Sequence, residues 1–539
     1  MAPRDGHVQV TLIMENQKSR LGNRLSICQA YEMPKKIVHL QRVLLGMLLF
    51  ALPSSFLVAV ESSWRAGAAS INITPEHPVR LSGYGSRTTE HEGVVMPLFA
   101  KALALTWAAD APVVMLTVDN CGIPAAMRIE VLKRVQKAGW KLEGKRFALH
   151  SSHTHCAPML PGVLPFLFGT DLTSEEKANI ERYAAGLSAK MTEVVLQALS
   201  SQQSAQLDWG MGKVSFAMNR RLKTPTGYAN SPNVYGPVDH ALPVLRVTAP
   251  DGKLRALFSS YACHCTTLAT NQTHPDWAGC AQRELELRFP GVVAMTAIGC
   301  GADQNPNPRR ELSFATRHGV ELAKEAVRII NNRMKPVHGP VACATKEIML
   351  PFDTLPDTAA WLQRTQDKNK ATAMHARHFL GMIERKEMIP PALPYLVQVW
   401  SFADDLVTIN LPGEVVVDYG LRFKRENDPT RTWVNAYTND VPCYIPSQRV
   451  WEEGGYEAAG AMIYYGRPNR FASGVEDIIA RAVHDLVPAG FRAGEKKLSP
   501  QPVAKRAGVP APPVLGTLPK ALRPPQPASA GKEKESPAP

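Results

Sequence analysis

The chain has 539 residues, 45% of them hydrophobic and 20% charged, a globular composition long enough for a large buried core. Its net charge of +13 is concentrated at the ends: residues 1–70 carry +4 and residues 496–539 carry +6, which leaves +3 for everything between. Nucleic-acid readout needs a clustered basic face on a folded body, so that class is excluded. Eight of the nine cysteines lie beyond residue 28, without a CxxC pair, too sparse for a disulfide scaffold.

Taken in chain order, the first 32 residues fit no targeting scheme, and Met33 offers an alternative start. Lys35, Lys36 and Arg42 then precede an apolar run over 43–60 and the small residues "AGAAS" at 66–70. That order predicts an exported protein, periplasmic or secreted, cleaved near 66–70. A run of this length also suits a membrane anchor, a reading opposed by Pro53, Ser54 and Ser55. Three pairs of apolar runs follow, each around a Pro/Asp/Gly turn: "AKALALTWAADAPVVMLTVDN", "LPVLRVTAPDGKLRALFSSYACH" and "YLVQVWSFADDLVTINLPGE". These predict β-hairpins, running into Asp119, His264 and Glu414. Helical spacing predicts "AAMRIEVLKRVQKAG", "TSEEKANIERYAAGLSAKMTEVVLQAL" and "FATRHGVELAKEAVRIINNR" as amphipathic helices. The expected fold is α/β: a mixed β-sheet core covered by helices in a single large catalytic domain over 70–492. Residues 1–69 read as an N-terminal extension with a signal-peptide-like segment, and 493–539, rich in Pro, Ala and Lys, as a disordered tail.

"FALHSSHTHCAP" places three histidines in six positions at the end of an apolar run. His153 and His155 are two apart, and in extended chain their rings point the same way, a metal-binding arrangement. His150 reads as a packed histidine. His264 and Glu414 each follow another apolar run, "NAYTNDVPCYIP" adds Asp440, and imidazoles with carboxylates suit Zn²⁺. Asp119 could orient a ligand imidazole or cap its strand. A thiolate site around Cys263 and Cys265 is disfavoured, because alternate residues on a strand point oppositely.

These motifs resemble the catalytic domain of the neutral/alkaline non-lysosomal ceramidases over roughly 70–490. "HTHCAP" is similar to the family's "HTHSGP", "YACHCTT" to "FAVHPTS", "LPGE" to "PGE", "NAYTNDV" to "NAYxxYV", "GYEAAG" to "YEG(A/G)ST" and "GADQNPN" to "GDVSPN". The resemblance implies a zinc-dependent hydrolase that cleaves the N-acyl amide of a lipid or other small molecule with metal-activated water, making peripheral membrane contact where that substrate is a lipid. It implies one zinc per chain, with His153, His264 and Glu414 as ligands. Asp440, standing where the family has a tyrosine, would be the fourth. It further implies His155 as the proton-handling group, Tyr456 at the substrate carbonyl and Arg220 beside it, with Arg221 as the alternative. Asn305 stands where the family has a serine. Related metal hydrolases of sugar or peptidoglycan amides, and a non-catalytic binding protein, are the rival readings.

Overall fold

The computed structural model describes residues 64–493, which belong to one compact unit. The signal-like segment at 35–60 and the tail from 494 lie outside the described residues. Eight strands form the main sheet: β1 (Trp64–Asn72), β2 (Phe99–Trp107), β3 (Val113–Val118), β4 (Phe147–Ser151), β5 (Gln203–Lys213), β6 (Ala241–Thr248), β7 (Leu254–Tyr261) and β8 (Val293–Ile298). Their order is β8-β7-β6-β5-β1-β2-β3-β4, and Lys335–Pro336 adds a ninth, short strand on β5. Most pairings are antiparallel, but β3–β4 and β7–β8 are parallel. A second sheet is built from β9 (Val341–Pro351), β10 (Ala392–Phe402), β11 (Leu406–Asn410) and β12 (Thr432–Asn435), in that order. All three hairpins read from the sequence are present, as β2–β3, β6–β7 and β10–β11.

Side-chain alternation along the strands builds the layers. On β2, Ala100, Ala102 and Ala104 face the helices, while Leu103 and Leu105 face the second sheet. The inter-sheet core is aromatic, with Trp64, Trp209, Phe258, Trp400, Phe402 and Trp433 all buried. On the other face, helix Ser174–Ser200 packs on β1 and β2 through Ile180, Leu187, Met191, Val194 and Ala198. It starts at a reciprocal capping box between Thr173 and Glu176, the sort of N-terminus worth about 1 kcal/mol. Helices Asp276–Arg288 and Leu312–Ile330 pack on each other over the β5–β8 side, and Val475–Leu486 covers the outside of the second sheet.

The strand β1 corrects one sequence expectation. Residues 66–70, read as a cleavage region with the domain starting at 70, lie inside a nine-residue strand paired with β2 along its length and with β5 at its start. A cut there would remove Trp64 and Ala66 from the inter-sheet core. Small residues serve the close approach here: a Cβ on Gly67 would sit 2.1 Å from the Ala198 carbonyl oxygen of the overlying helix.

The loop after β12 joins the two sheet systems. The Ala436 amide bonds to the Ile298 carbonyl of β8 (2.9 Å), the Asn439 amide to the Leu149 carbonyl of β4 (2.7 Å), and the Ser151 amide to the Tyr437 carbonyl (3.1 Å). Residues 436–439 therefore run between the two edge strands of the main sheet. Tyr437 and Asn439 have positive φ, so the segment turns sharply as it passes.

Candidate active site

Three chain-distant segments meet where this loop crosses. His153 lies two residues past β4, His264 three past β7, and Glu414 at the start of the short strand Glu414–Val415, which pairs with Tyr444–Ile445. The extended-chain geometry expected for His153 is not what brings it in. Its φ is 56°, a left-handed turn, and that turn swings its ring toward His155 and His264. All three groups are buried, at 1%, 0% and 3% exposure.

Backbone carbonyls set the imidazole tautomers. His153 Nδ1 lies 2.6 Å from the Cys121 carbonyl oxygen and His264 Nδ1 lies 2.8 Å from that of Gly301. Donating there leaves each Nε2 with a free lone pair. Glu414 Oε2 lies 3.2 Å from His153 Nε2 and 3.1 Å from His264 Nε2. Despite that proximity, Oε2 has no hydrogen-bond partner of acceptable geometry among the described residues. Three buried acceptor atoms thus converge within 4.8 Å of one another. A cation is the partner that resolves such a cluster, and the donor set of two imidazoles and a carboxylate suits a zinc-like divalent ion. Cys121 Sγ, 3.9 Å from His153 Nδ1, forms a second cluster with His153 and His155. That nitrogen is already committed to the Cys121 carbonyl, so the cluster with His264 and Glu414 is the one with lone pairs to give. Cys263 and Cys265 belong to neither cluster, and burial pushes both thiols well up.

Asp440 does not join the group, which corrects the fourth-ligand expectation. Its Oδ1 accepts from the Ala125 amide (3.0 Å) and from its own neighbour Val441 (2.9 Å). It caps helix Ala125–Lys137, whose N-cap residue, Pro124, has no side chain to do so. The hydroxyls around the acceptors come instead from tyrosines. Tyr444 Oη lies 3.3 Å from His264 Nε2, and Tyr465 donates to Glu414 Oε1. Tyr437 packs its ring 4.4 Å from that of His153. Burial raises the pKa of all three well above the usual tyrosine value.

His155 stands on the open side, Nε2 3.1 Å from His153 Nε2. Burial, with His153 and His264 beside it, holds its pKa well below the usual imidazole range. Gly83 lies against this ring, where a Cβ would come within 2.3 Å of it. Arg220, rather than Arg221, faces the site. Its Nη2 donates to Tyr444 Oη (2.9 Å) and its Nη1 to Asn305 Oδ1 (3.3 Å), while Nε pairs with Glu457 Oε1 (2.8 Å). Arg221 supports Glu457 from behind and pairs with Glu453. Tyr456 is half-exposed, with its ring 5.4 Å from that of Tyr444. His155, Arg220, Asn305, Tyr444 and Tyr456 all line one cavity of about 570 Å³.

Two further expectations settle as structural roles. His150 is buried against Phe258 with Nδ1 2.9 Å from Thr438 Oγ1, and burial pushes its pKa down to about 3. Asp119 accepts from the Phe99 amide (3.0 Å) and caps its strand end. Sequence reasoning missed Tyr444, Glu457 and Tyr465. Tyr444 stands in "VPCYIP", directly after "NAYTND", but only its pairing with Glu414 brings it inward.

Residues 64–298 match the family model of neutral/alkaline non-lysosomal ceramidase, N-terminal. A search of curated proteins returned no match. Among solved structures, the chain is similar to one described as ceramidase complexed with C2, at 17% identity and TM-score 0.61, over 80% of this chain and 77% of that one. It is also similar to the neutral ceramidase from Pseudomonas aeruginosa, at 18% identity and TM-score 0.59, over 80% and 76% of the two chains. At these identities the structures establish a shared fold, and residues 64–298 add the sequence pattern of the neutral/alkaline non-lysosomal ceramidase N-terminal model, so the chain is ceramidase-like in both respects.

Proposed function

We propose that this ceramidase-like hydrolase cleaves an N-acyl amide with one zinc ion held by His153, His264 and Glu414. The observation that carries the reading is the convergence of His153 Nε2, His264 Nε2 and Glu414 Oε2 within 4.8 Å, with Glu414 Oε2 buried and without a hydrogen-bond partner among the described residues. A zinc ion held there would supply Lewis acidity toward the amide carbonyl and lower the pKa of a water toward neutral pH. The chain's own groups do the rest. Tyr444 Oη, beside His264 and held by Arg220, is the hydroxyl in reach of that centre. His155, neutral and on the cavity side, takes a proton at Nε2 from the attacking water and returns it to the leaving amine. Arg220, fixed by Glu457, and Tyr456 offer donors to the carbonyl oxygen as negative charge develops on it. Asn305 steadies Arg220 from the family's serine position.

The substrate side of the reading is an amide-containing lipid or other small molecule, ceramide being the family's example. Export belongs to it too, supported by the basic and apolar order at 35–60, and N-terminal sequencing of secreted material tests it. A cut before Trp64 is the expected result, and an intact 43–60 segment on extracted protein would favour the anchor. Metal analysis of the purified chain, coupled to a panel of N-acyl amides, tests the chemistry. Stoichiometric zinc and amide cleavage lost together in His264→Ala are expected. A metal-free chain with undiminished turnover would refute it.

A further inference from the structure

The same cavity carries charge that the amide chemistry does not use. Its wall includes Arg309 and Arg310 and, among its lining residues, no Asp or Glu. The third arginine there, Arg220, is neutralised by Glu457. Arg309 and Arg310 form no ion pair among the described residues. Arg309 Nη2 donates to Tyr84 Oη at 3.2 Å, and its Nε is buried without a partner. Arg310 sits with its guanidinium 5.8 Å from the Tyr84 ring centre. The nearby buried carboxylate of Asp276 is spent on the Thr267, Leu268 and Trp277 amides. Tyr84 links this cationic wall to the chemistry, since its ring packs edge-on against His155 at 4.9 Å. Arg310 also holds φ at 91°, a conformation costly for any residue but glycine, and its amide is tied to the Thr267 carbonyl at 2.6 Å. The backbone thus holds an arginine in strain at the cavity rim.

We infer that Arg309 and Arg310 form an anion-binding subsite, so that the preferred substrates are N-acyl amides carrying an acidic group close to the scissile bond. Two unpaired guanidiniums one tyrosine away from His155 suit a carboxylate or a phosphate, each able to accept paired N–H donors. A neutral amide leaves the part-buried Arg309 charge without a counter-charge in the cavity wall, beside the exposed Arg310 at the rim. The inference rests on the amide-hydrolase reading for its substrate class, but the subsite itself is testable by binding alone.

The experiment uses the zinc-loaded full chain and matched substrate pairs: N-acylglycine against its methyl ester, and an N-acylethanolamine phosphate against the free N-acylethanolamine. The charged member of at least one pair is expected to show kcat/KM about 10- to 100-fold above its neutral twin, with the difference shrinking as salt rises. In the Arg309→Gln/Arg310→Gln double variant that ratio falls toward one. Arg309→Lys/Arg310→Lys restores part of it if charge is the cause. The pair that shows the preference identifies carboxylate or phosphate as the source of the charge. Calorimetric binding of the same pairs to wild type and double variant reads the subsite without turnover. Equal affinity for charged and neutral twins, or a preference that survives the double Gln substitution, overturns the subsite. Anion preference in binding with no amide cleaved would instead keep the subsite and overturn the amide-hydrolase reading.

Discussion

Replacing Asp440 separates a ligand from a cap. As a ligand, its carboxylate would be indispensable to metal retention. As the structure has it, Oδ1 holds the Ala125 and Val441 amides, at 3.0 and 2.9 Å, at the start of a helix that no local side chain caps. Asp440→Ala leaves the Ala125 N–H without its acceptor in a mostly buried position, a loss of about 1–3 kcal/mol. Removing a negative charge from a helix N-terminus adds roughly 0.3–1 kcal/mol. Asp440→Asn keeps an oxygen in the same place and forfeits only the charge. Part of that loss is returned, because burial raises the Asp440 pKa and makes its ionised form costly. The Asn variant is therefore expected within about 1 kcal/mol of wild type, and the Ala variant about 2–3 kcal/mol below it. Urea denaturation reads the stabilities, and metal analysis of the folded fraction reads zinc. Both variants should keep full zinc. A well-folded Asp440→Asn that has lost its metal would refute the capping role and return Asp440 to the coordination sphere.

Four other outcomes are expected. His264→Ala and Glu414→Gln should each lose bound metal, and wild type stripped with a chelator should show the same loss of activity and a lowered denaturation midpoint, because binding energy to the folded state is lost. Tyr444→Phe should retain zinc yet lower kcat by about 10- to 1,000-fold, since it removes a hydroxyl without a lone-pair ligand from the trio; an unchanged kcat would remove Tyr444 from the chemistry. Glu457→Gln should raise KM and lower kcat together by freeing Arg220 to reorient, whereas an effect on stability alone would make the pair purely structural. His150 is held neutral by burial with a pKa of about 3, against about 6.5 unfolded. The unfolded chain therefore takes up the extra proton as pH falls from 6.5 toward 3, and stability drops across that window by up to about 1.4 kcal/mol per pH unit. His150→Gln in metal-stripped protein should flatten the fall between pH 6 and 4, and parallel curves would contradict it.

The hairpins and long helices were legible because their periodicity is local: β3 is apolar but for Thr117, and the helix from Ser174 carries its own capping box. Each of His153, His264 and Glu414 stands shortly after an apolar strand, but it was the resemblance of their motifs that picked this trio from a set that also held His155 and Asp440. Asp440 failed for a different reason. Position within "NAYTNDV" says which residue aligns with a family tyrosine, but not which way the chain turns there. Positive φ at Tyr437 and Asn439 sends Asp440 toward the helix at Ala125, and the next strand brings Tyr444 in its place. Arg309 and Arg310 were invisible for a similar reason, since an arginine pair in a polar loop reads as solvated surface until a cavity wall forms around it. The small residues at 66–70, read in the sequence as a cleavage region, lie in β1 and pair with β2, a role that local composition does not announce.

The passage of residues 436–439 between β8 and β4 has a consequence for how the protein comes into being. By the time a growing chain has released residue 298, both imidazoles and strands β1–β8 of the main sheet exist, but the short ninth strand, Glu414 and the segment that bridges the sheet edges do not. An N-terminal fragment of that length presents two histidines with no carboxylate and an unbridged pair of edges. Under the proposed function, capture of an ion by all three groups would wait until more than a hundred further residues have been made. Zinc, on this reading, is loaded onto a nearly finished molecule, and its retention reports that the last third of the domain has closed over the first.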